Sequence, residues 1–431
     1  MIRLLGLALL GAALLSAQGR KTLPSADAKR KAAAVRTSSK TAAAPASQKA
    51  GPPPRAAARS SRQGAAARQA ASARPGAKQA AAAPAATPAR ALNAAPARRA
   101  GTARRRSFSP WSTPTYADST LGDSAEGEDP VVRRAAVEAL GPYNGSVVVA
   151  DPFTGRILAM VNQKLARTGA YQPCSTIKLV AAVAGLHEGI IDRETRLRLT
   201  RRESIDLTEA LARSNNKFFF DIGEKLGFDR IYHYARLFGL GEKSGLDIEG
   251  ESAGILPEWK PQEVPCGMMT SFGEAIAITP LQLTAMVSAI ANGGSLYWLQ
   301  HPRTQDEAER LVPRLKRRIE LAARIEDILP GMMGAVDYGT ARRAAFDPST
   351  PIFGKTGTCT DSRTHLGWFS SFNDVGGRKL VVTVLLTGGA PVNGPVASGI
   401  AGQVYKALAE LQYLAERRTY SPAAMVSDGG R

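Results

Sequence analysis

Residues 172–189 read Gln-Pro-Cys-Ser-Thr-Ile-Lys-Leu-Val-Ala-Ala-Val-Ala-Gly-Leu-His-Glu-Gly. A break at Gln172-Pro173-Cys174 gives way to an apolar run with a helical pattern from Ile177 to Gly189. Ser175 should therefore sit at a helix N-terminus, where free backbone N–H groups and the positive end of the helix dipole face its hydroxyl. Lys178 comes three residues later, one turn on and on the same face, so its amine can reach the Ser175 oxygen. Such a pair can make a nucleophile and its base. Alone, the pattern is weak. An N-capping serine followed by a surface lysine is spelled the same way, and Ser214-Asn215-Asn216-Lys217 also fits Ser-x-x-Lys.

A lysine that activates a serine must be neutral part of the time. Burial and a second cation nearby both push its pKa down. Lys355-Thr356-Gly357-Thr358, in an apolar strand context after Pro351-Ile352-Phe353-Gly354, offers that cation. It also offers two hydroxyls, and a glycine against which a substrate could lie close to the backbone. A strand ending in a turn is the plainer reading. The third element is Ser214-x-Asn216, set between two short helical patterns. Its hydroxyl could relay a proton and its amide could hold a substrate carbonyl.

Working outward, the elements alternate. A helical pattern over 131–140 precedes two strand-like runs around Asp151-Pro152…Thr154-Gly155, a hairpin signal. Helical patterns fill the middle (207–212, 218–226, 231–238, 280–292, 325–337, 403–417), and strand patterns return at 352–358, 366–372 and 380–387. Strands at both ends of a helical middle predict one sheet assembled from distant segments with helices packed on it, an α+β or mixed α/β fold.

Charge is unevenly spread. The 431 residues hold 56 Lys+Arg against 37 Asp+Glu, for a formal net charge of +19. Between Arg20 and Arg106 there are 20 basic residues and one acid, Asp27, so the remainder is neutral. Bulk charge therefore excludes a nucleic-acid-binding reading of the globular part, and the arm lacks the aromatics that stack on bases. Three cysteines, four histidines and no Cys-x-x-Cys exclude a disulfide scaffold and argue against a structural zinc site. Residues 1–17, with apolar Leu4–Leu15 and small residues at the end, fit a signal peptide or signal anchor. Residues 18–106 have too few large apolar side chains to offset the entropy of ordering and are read as a disordered basic arm, with 107–130 a linker. Globular patterning begins near Val131, runs to about 420, and leaves 421–431 as a tail.

Ser-x-x-Lys, Ser-x-Asn and Lys-Thr-Gly in this order resemble the penicillin-binding transpeptidases and serine β-lactamases. Asp151-Pro-Phe-Thr-Gly-Arg, Ile278-Thr-Pro-Leu-Gln-Leu and Val336-Asp-Tyr-Gly-Thr-Ala are similar to further landmarks of that domain. The resemblance implies an antiparallel sheet flanked by helices beside an all-α subdomain, with the site between them. It implies that Ser175 attacks the D-Ala-D-Ala carbonyl of peptidoglycan stem peptides, with Lys178 as general base and Ser214 passing a proton to the leaving group. Asn216 would position the substrate. Lys355, Thr356, Gly357 and Thr358 would line its binding site, with Lys355 and the two threonine hydroxyls on the terminal carboxylate. The N–H groups of Ser175 and Thr358 would form an oxyanion hole. β-Lactams would acylate the same serine, and no metal or cofactor is implied. The chain would be exported to the cell envelope or periplasm, cleaved or anchored at residues 1–17, with the arm available for anionic membrane or cell-wall contact.

Departures from the family pattern matter too. Ser214 follows Ser175 closely, which suggests a trimmed helical subdomain, and the arm replaces the folded N-terminal module of many relatives. Glu274 stands where relatives often carry glutamine; it could activate water or serve as an ordinary ion-pair partner. Cys174 and Cys359 would border one cleft and could form a disulfide, with Cys266 a competing partner. A serine β-lactamase or D,D-carboxypeptidase shares the nucleophile. The missing Glu-x-x-Leu-Asn segment, and Asn216 in place of valine, favour slow deacylation. A non-catalytic β-lactam-binding envelope protein is the alternative of a different class.

Overall fold

The computed structural model describes residues 112–361, 364–374 and 378–415. The expected signal segment, the arm and the 421–431 tail lie outside the described residues. In chain order the elements are α1 (Pro130–Leu140), β1 (Gly145–Ala150), β2 (Ile157–Val161), α2 (Gln163–Thr168), a 3-10 turn (Cys174–Ile177) leading into α3 (Lys178–His187), β3 (Leu197–Arg198), β4 (Ser204–Ile205), α4 (Leu207–Ala212), α5 (Asn216–Leu237), α6 (Cys266–Phe272), α7 (Pro280–Ala291), β5 (Ser295–Tyr297), α8 (Gln305–Glu309), β6 (Leu315–Arg318), α9 (Ala322–Asp337), β7 (Ile352–Asp361), β8 (Thr364–Asn373), β9 (Val381–Gly388) and α10 (Gly394–Glu410).

Among the described residues, five strands form one sheet in the order β2-β1-β9-β8-β7. Every neighbouring pair is antiparallel. Strands from both ends of the globular region thus meet, as the patterning predicts, and the fold is α+β. β9 reads Val-Val-Thr-Val-Leu-Leu-Thr-Gly with every residue buried, because both faces of the sheet are covered. Alternation divides the core. Val147 and Val149 join α1 and α10 residues such as Leu140, Val404 and Leu408 in one cluster. Val148 and Ala150 face the other, larger cluster, with residues of α3, α5 and α7. Each fully buried aliphatic side chain contributes about 1.5–3 kcal/mol. α7 is buried along its whole length, as a helix apolar on all sides must be, and its start is fixed by a Thr279–Gln282 capping box.

The segment before α1 differs from expectation. Read as linker, residues 112–129 instead pack on the sheet. The Asn144 N–H donates to Thr115 O at 2.9 Å, and Ser119 Oγ donates to Tyr143 O at 2.9 Å. The Asp123 carboxylate accepts from the N–H groups of Asn162 and Gln163 at 2.9 and 2.7 Å. Arg133 pairs with Asp123 at 2.7 Å and with Glu128 at 3.1 Å. α10 also starts earlier than its apolar pattern suggests. Asn393 caps it, and Pro395 sits in the first turn, where its missing N–H costs nothing. The two helices read at 218–226 and 231–238 are halves of α5, separated where Gly227 takes φ +74°.

Candidate active site

The apolar run 179–186 buries α3 on every side. This carries Lys178, at the start of α3, to zero exposure. Its Nζ lies 2.9 Å from Ser175 Oγ, so the one-turn spacing brings the pair into contact. The Lys178 amine also donates to Ser214 O at 2.9 Å and to Asn216 Oδ1 at 2.6 Å, and lies 3.2 Å from Ser214 Oγ. A carbonyl oxygen and an amide oxygen can only accept. A neutral amine has two protons, and these two oxygens take both. The lone pair is then left for a hydroxyl proton, with Ser175 the nearer serine. Burial, and then Lys355, pull the Lys178 pKa down to about 6, which keeps that lone pair free at neutral pH.

Lys355 arrives from the other side of the cleft on β7, also fully buried. Its Nζ donates to Ser214 Oγ at 2.8 Å and to Thr356 O at 3.0 Å. Burial pulls its pKa down to about 7. The Ser214 hydroxyl therefore sits between two lysine amines. Ser214 holds φ at +56° and Cys174 holds φ at +50°. Such left-handed geometry in non-glycine residues costs of order 1–3 kcal/mol and persists where the surroundings enforce it. At Ser214 it presents both the carbonyl and the hydroxyl to Lys178. At Cys174 the enforcing bond is a disulfide to Cys359, with Cα atoms 5.6 Å apart, which fastens the turn carrying Ser175 to β7. Cys266 is left as a buried free thiol, and burial pushes its pKa up.

Several roles differ from those the sequence suggests. A Cβ at Gly357 would lie 3.0 Å from Pro173 O and 3.3 Å from Cys174 Cβ, so this glycine makes room for the nucleophile turn rather than for a substrate. Thr356 is 4% exposed, and its hydroxyl lies 2.6 Å from Thr340 Oγ1 rather than facing the cleft. Thr358 is exposed, and its Oγ1 accepts from Gly394 N–H at 2.8 Å, leaving its own proton to donate. Asn216 is exposed, and with Oδ1 engaged by Lys178 the amide has its NH₂ to offer a substrate carbonyl. Beside the turn, a Cβ at Gly273 would lie 2.3 Å from Pro173 Cγ, and Gln172 Nε2 donates to Phe272 O at 2.9 Å. The segment leading to Glu274 thus lies alongside this turn.

Two supporting residues were given no role in the sequence reading. Trp368, fully buried on β8, donates its indole N–H to Gln172 O at 2.9 Å and underpins the nucleophile turn. Thr340 follows α9 and touches Thr356. No local signal marked Trp368; the second lies within the Val336-Asp-Tyr-Gly-Thr-Ala landmark, which assigned it no contact.

Comparison with known proteins agrees with this geometry. Residues 145–410 match the penicillin binding protein transpeptidase domain. The chain belongs to this family. Stage V sporulation protein D of Bacillus subtilis is 29% identical over 310 residues, covering 62% of this chain and 48% of the relative. The peptidoglycan D,D-transpeptidase MrdA of Acinetobacter baumannii is 28% identical over 284 residues, covering 52% and 42%. The chain thus spans about half the length of the curated relatives it matches. Among solved structures, PBP2 of Pseudomonas aeruginosa in complex with WCK 5153 aligns with a TM-score of 0.56 at 26% identity, over 67% of this chain and 78% of that one. The apo TP domain of Burkholderia pseudomallei penicillin-binding protein 3 shares the fold, with a TM-score of 0.56 at 20% identity over 69% and 99%. No helix among the described residues is long and apolar enough to cross a membrane.

Proposed function

We propose that the chain is a penicillin-binding D,D-transpeptidase that works on peptidoglycan stem peptides through an acyl-enzyme on Ser175. The observation that carries this reading is the convergence of Ser175, Lys178, Ser214 and Lys355 through contacts of 2.8–3.2 Å. In acylation, the Ser175 oxygen attacks the carbonyl carbon of the penultimate D-Ala while its proton passes to the neutral Lys178 amine. The oxyanion is held by the N–H groups of Ser175 and Thr358. As the C–N bond breaks, the Ser214 hydroxyl donates its proton to the leaving D-Ala nitrogen and recovers one from Lys178. Asn216 donates its NH₂ to the peptide carbonyl.

Lys355 and the Thr358 hydroxyl receive the terminal carboxylate. That anion raises the Lys355 pKa and keeps Lys355 charged, and a charged Lys355 keeps Lys178 neutral. Thr356 and Gly357 support the site from behind rather than touching substrate. An amine from a neighbouring stem peptide then attacks the ester and releases Ser175 with a new cross-link.

The enzyme is exported to the cell envelope. Its signal segment provides the route, and its basic arm provides a contact with anionic membrane or wall polymer; the names of the peptidoglycan D,D-transpeptidase relatives support the location. The test is to incubate the full chain with a fluorescent penicillin and follow the label over hours. A lasting adduct that maps to Ser175 is expected. Rapid loss of label would make the enzyme a β-lactamase or carboxypeptidase. Absence of any label would overturn the catalytic reading in favour of a scaffold.

A further inference from the structure

Behind the three motifs lies a contact that belongs to none of them. α9 ends at Asp337 and the chain turns through Tyr338-Gly339-Thr340. The Thr340 N–H donates to Ala212 O at 3.1 Å, two residues before Ser214. Its hydroxyl lies 2.6 Å from Thr356 Oγ1, one residue after Lys355. Thr340 therefore grips both segments that bring groups to the cleft, the turn carrying Ser214 and the strand carrying Lys355. Gly339 permits the approach: a Cβ there would lie 2.1 Å from Ala212 O and 2.8 Å from Ala335 Cα. On the cleft side the same two segments meet through Lys355 Nζ and Ser214 Oγ at 2.8 Å. They are clamped from two sides, once by reacting groups and once by Thr340.

We propose that Thr340 is a positioning residue that fixes the distance between the Ser214 turn and Lys355, and so the distance between the two active-site lysines. The inference rests on the acyl-transfer reading of the site. Its physical basis is the Thr356 hydroxyl. This group is nearly buried, and deprived of Thr340 Oγ1 it must recruit water or stay unsatisfied. Water entering there wedges β7 away from the Ser214 turn. Lys355 then hydrates and withdraws, and Lys178 loses both part of its desolvation and part of the repulsion that holds it neutral. The amine becomes protonated at a higher pH, and the fraction of competent base falls.

Thr340→Val keeps the shape and removes the hydroxyl; Thr340→Ser keeps the hydroxyl. The experiment measures the second-order rate of acylation by a fluorescent penicillin from about pH 5 to 9, per folded protein by circular dichroism. Side-chain 15N titration of Lys178 accompanies it and needs no turnover. For Thr340→Val, acylation at neutral pH should fall between about tenfold and a hundredfold, as for a sub-ångström to ångström misplacement. Its acid limb and the Lys178 midpoint should both move to higher pH. Thr340→Ser should stay within about twofold of the parent, because the bond is kept. Wild-type rate with an unmoved acid limb in Thr340→Val overturns the proposal, as does an equal loss in the valine and serine variants. If the parent takes no label, the functional reading fails, and the Lys178 midpoint still decides: unmoved in Thr340→Val, it overturns the positioning role; moved upward, it upholds it.

Discussion

Ser175-Thr-Ile-Lys178 and Ser214-Asn-Asn-Lys217 obey one spelling rule and fold into opposite environments. Lys178 enters α3 facing a packed interior and has zero exposure. Lys217 enters α5 facing solvent; its side chain is 56% exposed and pairs with Asp221 one turn on at 2.7 Å. The first lysine is surrounded by oxygens that use up its protons and by a second buried cation. The second has a single carboxylate one turn along and is open to solvent. The helix that continues each motif thus sets each lysine's surroundings, apolar in one case and amphipathic in the other. Ser214 nevertheless serves the first tetrad, because its left-handed backbone turns it away from Lys217's side of the helix and toward Lys178.

The sharpest way to break this comparison is to remove each lysine in turn. Lys178→Ala should slow acylation by about 10²–10⁴, the range for loss of a positioned general base, whereas Lys217→Ala should leave the stopped-flow acylation rate alone. Equal effects would erase the distinction. Next in size is Asn216→Asp, which sets a carboxylate against Lys178 in place of a neutral oxygen. The amine is then held in its charged form, and the pH–rate profile should shift its acid limb upward from about 6. Acylation at pH 7 should drop by about twofold if the midpoint rises to about 7, and by about tenfold for each further unit.

In the unaltered protein the sign is fixed by which form works. On the proposed mechanism Lys178 acts neutral and Lys355 acts charged, so acylation of free enzyme should be bell-shaped, declining below about pH 6 as Lys178 is protonated and above about pH 7 as Lys355 loses its charge, read from labelling rates across a pH series. The smallest effect concerns stability. An exposed i,i+4 ion pair contributes little, so Lys217→Ala should alter unfolding free energy by less than about 0.5 kcal/mol in urea titration.

Much of this was legible in the residues. The one-turn contact of Ser175 with Lys178 follows from helix spacing, and the sheet built from distant ends follows from the order of patterns. The meeting of Lys355 with Ser214 followed only from the family resemblance, since no local rule joins residues 141 positions apart. What could not be read depends on long-range packing or on backbone that residue type does not announce. Ser214 and Cys174 take positive φ without being glycine. Gly357 looks like a substrate platform until the nucleophile turn is seen to occupy it. Asn393-Gly-Pro looks like a break and acts as a helix start. The 112–129 segment looks like linker because its ties are single polar side chains, Asp123 and Glu128 among them, rather than an apolar pattern.

That last segment bears on where the protein can be cut. A version trimmed to begin at Val131 would retain every group named in the reaction and yet lose both carboxylates facing Arg133, the fully buried Glu128 with them. Arg133 would keep Met160 O at 2.8 Å, but the bonds from the Asp123 carboxylate to the N–H groups of Asn162 and Gln163 would go. Each hydrogen bond to a charged group contributes about 1.5–3 kcal/mol, a large share of a domain's whole margin of stability. For expression or crystallisation, a dependable fragment keeps Pro114, whose carbonyl accepts from Asn144 Nδ2 at 2.9 Å, and a boundary chosen by hydrophobic pattern alone would leave the cleft residues in place on a domain prone to unfold.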